Sequence, residues 1–446
     1  MERVFQAGET ISDTLGERYT ILSKLGAGGQ GDVYRVRASD NKEYALKWYH
    51  EDRYLRRINA KRFRENLVRN IQAGKPQLAQ GDVANQFIWP KRLVSIGDGF
   101  GYIMDLYQPG FESFDAVVMG KKYDKAADAT QPVRFRSYYA LVTAALNIVR
   151  GFEILHAKGY SYQDINGGGF FINPQTGDVL ICDCDNVAPD KDNMGIQGIV
   201  TYMAPEVVCG KTLPNAHTDR YSMAVILFRL FYRDHPMLGI ESSKIMQNPA
   251  LDDNQKNSII YGAAPHYCLS RSGQNRPRPN RDVLKMYPLF PKVLLSMFSQ
   301  VFEKGALDPT ARPTDTHWME VLLSVRDSLV LVNGKEQFFD IPVPKPLPDN
   351  CRTLVNQKYR RRVRLMPNKI LYGYHATSFG VDFKTPVAKV VAAPGNPKIL
   401  GLVNGMNAPI RFTTPKGQTA ECAPGKTIAL VPGMKLLIGN VEYTVA

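Results

Sequence analysis

Tyr162-Gln163-Asp164-Ile165-Asn166-Gly167-Gly168-Gly169-Phe170-Phe171-Ile172, followed after a short gap by Val179-Leu180-Ile181-Cys182-Asp183-Cys184-Asp185, is the stretch on which the fold turns. Each of its two short apolar runs stands next to an aspartate. Such a pair fits a hairpin that holds one carboxylate toward an attacking hydroxyl and another toward a divalent cation. Either aspartate alone reads equally well as a surface turn carboxylate, so the neighbouring motifs must decide.

Upstream lies Gly26-Ala27-Gly28-Gly29-Gln30-Gly31-Asp32-Val33, between two strand-like runs. Glycines let backbone amides close over a polyphosphate that a Cβ would keep away. A plain Gly-rich hairpin is the bland alternative, and a dinucleotide-binding turn is excluded because no helix follows. Lys47 sits in the strand-like Tyr44-Ala45-Leu46-Lys47-Trp48. Its distance from the glycines is what a two-strand hairpin needs to bring an ammonium beneath the loop. Phe63, Leu67, Val68 and Ile71 recur at helical spacing over residues 60–73. Glu65 on that helix is the candidate partner for Lys47, with Glu51 as the alternative.

Downstream, an apolar face of Leu141, Ala145, Leu146, Val149, Phe152 and Leu155 and the apolar run 221–231 predict a mostly helical region. It also carries Tyr202-Met203-Ala204-Pro205-Glu206, Asp219-Arg220-Tyr221-Ser222 and Asp308-Pro309-Thr310-Ala311-Arg312-Pro313. The order of glycine loop, strand lysine, first Asp, second Asp, Ala-Pro-Glu, helix Asp and late Arg resembles the eukaryotic-like (Hanks-type) bacterial serine/threonine protein kinases over residues 19–330. Gly210-Lys211-Thr212 and Gly425-Lys426-Thr427 are not Walker loops, because Pro205 and Ala420 replace the first glycine.

The resemblance implies an α+β, bilobal protein-kinase fold followed by a small all-β C-terminal domain. The expected divisions are an N-terminal extension (1–16), N-lobe (17–107), C-lobe (108–330), linker (331–369) and β-rich domain (370–446). It implies ATP and Mg²⁺, with Mn²⁺ as the alternative metal, and phosphorylation of protein Ser/Thr hydroxyls. Asp164 and Lys47 take the catalytic places. Gly26, Ala27, Gly28, Gly29, Gln30, Gly31, Val33, Ala45, Lys47, Met104, Asp105 and Leu106 form the ATP-binding set, with Met104 as gatekeeper. Asp183 and Asp185 take the metal places, while Glu206, Asp219 and Arg312 are structural.

The catalytic loop departs from the family. Tyr162 and Gln163 replace His-Arg, Asn166 replaces a lysine and Gly169 a metal-binding Asn; Ile199 replaces a threonine, and the Asp-Phe-Gly place reads Asp183-Cys184-Asp185. The expectation is that Asp185 restores the oxygen lost at Gly169. Without the lysine, the transferring phosphoryl loses a cation, so turnover should be slow. A pseudokinase scaffold is the alternative function. Residues 185–200 contain no Ser, Thr or Tyr, which argues against a loop phospho-switch.

The 446 residues are 44% hydrophobic and 22% charged, with a formal charge of +14. This is the composition of an ordinary globular protein, and the positive charge invites acidic partners but speaks to association and solubility, not to fold or chemistry. The six cysteines form no CxxC pair or zinc spacing, and no stretch reaches the apolar length of a membrane span. A reducing, cytoplasmic, membrane-free setting is expected. Pro342, Pro344, Pro346 and Pro348 mark the linker, and Asn404-Gly405, Lys416-Gly417, Pro424-Gly425, Pro432-Gly433 and Gly439-Asn440 punctuate the β-rich end. That end resembles the β-rich tail of bacterial kinases found with von Willebrand A-type and PP2C-type phosphatase partners. The basic run Lys358-Tyr359-Arg360-Arg361-Arg362-Val363-Arg364 reads as a solvated linker face, and no nucleic-acid-binding module accompanies it.

Overall fold

The computed structural model describes residues 3–74, 85–124, 128–193, 195–196 and 198–446. The chain forms two compact units: Met1–Arg136, Thr143–Arg281 and Phe298–Asp315 make the first, and Ser137–Val142, Asp282–Met297 and Thr316–Ala446 the second.

In the first unit, β1 (Thr10–Ser12), β2 (Arg18–Ala27), β3 (Gly31–Ala38), β4 (Glu43–Tyr49), β5 (Arg92–Ile96) and β6 (Gly99–Asp105) build an antiparallel sheet in the order β1-β2-β3-β4-β6-β5. Within the expected extension 1–16, the described residues pack onto the sheet: β1 pairs with β2, and Phe5 is buried against Tyr34 and Trp48. Helix α1 (Ala60–Ala73) matches the predicted span, starts on an Asn59 side-chain cap, and buries Phe63 and Leu67 against Tyr49, Phe100 and Tyr102.

The glycines of the β2–β3 turn have two different reasons. A Cβ on Gly31 would lie 2.2 Å from the Trp48 carbonyl oxygen, so close strand packing demands glycine there. A Cβ on Gly26 or Gly29 would meet nothing within 4 Å, which leaves that side of the loop open to a ligand.

Helix α2 (Tyr138–Ala157) is long and apolar enough to cross a membrane by length and composition, contrary to the sequence reading that no stretch is. Its apolar window is 67% buried inside the protein, which makes it a core helix. Beyond it, β7 (Phe170–Ile172) and β8 (Val179–Ile181) form the expected hairpin, paired Phe170 to Ile181. The apolar helix α3 (Ala216–Tyr232) follows, with an Asn215–Thr218 capping box.

In the second unit, helix α4 (Asp315–Asp327) leads into the hairpin of β9 (Leu329–Val332) and β10 (Lys335–Phe338). Strands β11 (Arg352–Asn356), β12 (Arg361–Leu365), β13 (Ile370–Tyr372), β14 (Pro386–Ala393), β15 (Asn396–Asn404), β16 (Ile410–Thr413), β17 (Thr419–Cys422), β18 (Thr427–Ala429), β19 (Lys435–Ile438) and β20 (Val441–Val445) complete two sheets. One has the order β12-β11-β20-β19-β16-β17, the other β13-β14-β15-β18, and Leu354, Val390, Leu402, Leu436 and Tyr443 share their core. Gly417, Gly425, Gly433 and Gly439 take positive φ at the anticipated turns.

The predicted linker 331–369 is corrected by this unit. Its proline segment runs irregularly between β10 and β11, but residues 352–356 and 361–365 are paired strands. In the strand that carries the basic run, Val363 and Leu365 point into the core, Arg361 donates to the Tyr374 carbonyl at 2.6 Å, and Arg364 donates to Thr353 Oγ1 at 2.8 Å. Two-residue alternation wins over charge. Likewise, residues 316–330 belong to the second unit and not to a lobe ending at 330.

Candidate active site

Lys47 lies on β4 opposite Val33 of β3 and Tyr102 of β6, and Ala45 lies opposite Met104. Val33, Ala45, Met104 and Leu106 fall in one apolar cluster. The Asp105 carboxylate is held by Lys91. The Lys47 side chain is 5% exposed, and its Nζ donates to Asp183 Oδ1 (2.8 Å), both Asp185 oxygens (3.1 and 3.3 Å) and Gln30 Oε1 (2.8 Å). Burial pulls the pKa of this ammonium down, but Asp183 and Asp185 outweigh it and hold the pKa above the usual lysine range.

Gln30, at the tip of the glycine loop, ties the cluster together. While its carbonyl oxygen accepts from Lys47, its amide donates to Asp164 Oδ2 at 3.1 Å. Sequence reasoning had placed Gln30 in the ATP-binding set without seeing this bridge. Asp164 also accepts at Oδ1 from Asn166 Nδ2, 3.0 Å away. Burial pushes its carboxyl up to about 7, against the lowering effect of the Asn166 hydrogen bond.

Two departures in the catalytic loop prove to be one steric fact. Tyr162 is fully buried and its hydroxyl donates to the Cys182 carbonyl. A Cβ on Gly169 would lie 2.9 Å from that hydroxyl, so the tyrosine leaves no room for the family's asparagine. Gln163, in place of arginine, holds the following loop by neutral bonds: Nε2 to the Asp192 carbonyl at 2.8 Å, and Oε1 from Asn193 at 3.0 Å.

Asp219 accepts from the Tyr162 amide (2.6 Å), the Gln163 amide (3.0 Å) and His156 Nε2 (3.2 Å). Arg312 and Glu206 meet in a two-pronged pair at 2.7 Å on each prong. His156, which sequence reading missed, lies between Asp219 and Asp315; burial lowers its pKa, but the two carboxylates win and raise it to about 9.

Two assignments are corrected. Glu65 is on the exposed face of α1, and the alternative Glu51 packs against Gly99, so neither is the partner of Lys47. The helix instead turns Asn66 and Asn70 inward, and both donate to the Val187 carbonyl, at 2.9 and 2.8 Å. Asp185 is corrected from metal ligand: it is fully buried, and its oxygens accept from Tyr49 (2.6 Å), Tyr102 (2.8 Å) and Lys47. Tyr49 is two residues from Lys47 on the same strand face, a signal the sequence did contain.

Among the described residues, no group of three or more His, Cys, Asp or Glu could hold a metal by itself. Asp183, with 33% of its side chain exposed, fits the one-carboxylate mode in which Mg²⁺ takes its remaining ligands from phosphates and water.

The protein kinase domain family matches residues 114–320. The chain is 23% identical over 332 residues to "Protein kinase YegI" of Escherichia coli (strain K12), covering 72% of this chain and 46% of that protein. It is 26% identical over 268 residues to "Serine/threonine-protein kinase AtPK2/AtPK19" of Arabidopsis thaliana, covering 57% and 51%. It is 23% identical over 253 residues to "Serine/threonine-protein kinase PknD" of Chlamydia muridarum, covering 49% and 25%. The chain thus spans about half or less of the length of these relatives. With the glycine loop, the strand lysine and the hairpin aspartates in place, the match identifies the architecture as the α+β protein-kinase fold carrying an all-β C-terminal part.

Proposed function

We propose that this chain is an ATP-dependent protein kinase that phosphorylates serine or threonine hydroxyls with Mg²⁺ and an altered catalytic loop. One observation carries the reading: Lys47, Gln30 and Asp164 form a continuous hydrogen-bonded chain, with Asp183 on the same ammonium. A kinase needs these groups together, one cation for the phosphates and two carboxylates for nucleophile and metal.

In this reading, the acceptor hydroxyl forms a new O–P bond as the bond from the γ-phosphorus to its bridging oxygen breaks, ADP departs and the hydroxyl proton goes to Asp164. A carboxyl near pH 7 is suited to take that proton. Gln30 must swing off Asp164 and Lys47 before phosphates can enter. Mg²⁺ when bound supplies charge neutralisation, and Asp183 is the residue to hold it; Mn²⁺ could fill the same place. Asn166 gives Asp164 an amide in place of the family's lysine, consistent with slow transfer.

A cytoplasmic setting is part of the proposal, supported by six free cysteines, as are a protein substrate and recruitment of PP2C-type and von Willebrand A-type partners through the β-rich part. The rival pseudokinase reading rests on Asn166, Gly169 and Ile199. Nucleotide titration with and without Mg²⁺ tests the metal assignment, and label transfer from ATP separates the two readings: Asp183→Asn should abolish the Mg²⁺-dependent gain in ATP affinity, and unchanged metal dependence would remove the assignment.

A further inference from the structure

One ammonium faces two carboxylates that differ in burial. A third of the Asp183 side chain (33%) reaches solvent, while Asp185 has none exposed. An oxygen that must take a cation from solution has to be reachable, and Asp183 is. Asp185 has no oxygen to spare. Its Oδ2 accepts from Tyr49 and Lys47, and its Oδ1 accepts from Tyr102 and Lys47.

All three donors come from the sheet. Lys47 and Tyr49 alternate onto one face of β4, and Tyr102 stands opposite Lys47 on β6. Helix α1 supplies no carboxylate here: Glu65 is exposed, Asn66 and Asn70 donate to backbone carbonyls, and Asn66 Oδ1 accepts from Arg69 of the same helix at 2.6 Å. Loading Asp183 with a cation takes one partner from Lys47 and leaves Asp185.

We propose that Asp185, clamped by Tyr49 and Tyr102, is the positioning residue of Lys47. It does from the metal loop what a helix carboxylate was expected to do, so lysine placement is independent of a charge on helix α1. This rests on the phosphotransferase reading and deepens it. The register is what makes it possible, because a residue two places after Asp183 reaches the sheet face that carries Lys47.

The test is binding of a fluorescent ATP analogue in EDTA and in Mg²⁺, with melting curves on every variant. Asp185→Asn should weaken binding by at least about tenfold in both conditions, because Lys47 loses its buried partner. Asp183→Asn should lose the Mg²⁺-dependent gain in affinity, and Glu65→Ala should match wild type in both. The double variant Lys47→Met, Asp185→Asn should bind no more weakly than Lys47→Met alone, because an anchor has nothing left to position.

An Asp185→Asn loss confined to Mg²⁺, or a further loss in the double variant, overturns the proposal. Should Asp185→Asn melt below the assay temperature, Tyr102→Phe decides: weaker binding in EDTA supports the clamp, and wild-type binding overturns it. Wild-type protein that binds no nucleotide in either condition would remove the phosphotransferase reading itself, and this inference with it.

Discussion

Replacing Glu206 by alanine should destabilise the protein through the charge it leaves behind. The Arg312 side chain is 0% exposed and the Glu206 side chain 13%, so the pair is desolvated on the arginine side. After the substitution, Arg312 keeps two acceptors, the Gly305 carbonyl at 2.8 Å and the His217 carbonyl at 3.0 Å, and the Tyr221 ring 5.1 Å from its guanidinium carbon. These soften the loss but do not neutralise the charge. The cost should therefore fall at the low end for a broken buried pair, about 3 kcal/mol. That corresponds to a fall in Tm of about 6 °C. Thermal melting followed by circular dichroism reads it, and the Arg312→Met, Glu206→Ala double variant should be more stable than the sum of the single losses predicts. A Glu206→Ala melt within about 1 °C of wild type would refute the claim that this pair is buried and coupled.

Three further outcomes follow. His156 has its pKa raised from 6.5 to about 9, so the stability it adds is fully present below pH 6.5 and is lost as pH rises through 9, an effect of about 3 kcal/mol that denaturant midpoints of wild type against His156→Asn measure; parallel curves would contradict it. Truncation after Pro348 should yield unstable protein, because it removes Tyr374 and His375 from Asp327 (2.6 and 3.0 Å) and the Phe383 carbonyl from Arg326 (3.2 Å), whereas a soluble, cooperatively melting fragment would restore the boundary read from sequence. Phosphatase treatment should leave turnover unaltered, since residues 185–200 have no hydroxyl to phosphorylate; a loss traced by mass spectrometry to Thr201 or Tyr202 would overturn this.

What was legible in the sequence was local. The glycine loop, Lys47 and the two hairpin aspartates are fixed by spacing along strands and turns, and helix α1 by its apolar period. The partner of Lys47 was not legible, because it depends on how far the helix is rotated. Glu65 and Asn66 are adjacent, and packing of Phe63 and Leu67 turns the asparagine inward. Asp185 was misread for a related reason. Its distance from Asp183 along the chain suggested the same metal, but only the sheet register reveals that Tyr49 and Tyr102 claim its oxygens. The linker was misjudged because a dense positive run and four prolines outweighed an alternation of arginine with Val363 and Leu365 that was present all along.

The central claim is that Asp164, Lys47 and Asp183 together transfer a phosphoryl group. Transfer of label from γ-labelled ATP to protein in the presence of Mg²⁺, compared between wild type and Asp164→Asn, tests it most directly. The account predicts slow but clear incorporation into serine or threonine by wild type and none by Asp164→Asn, although both bind ATP. Equal incorporation by the two proteins, or none by a wild type that binds Mg²⁺ and ATP in the presence of acceptor proteins, would contradict it.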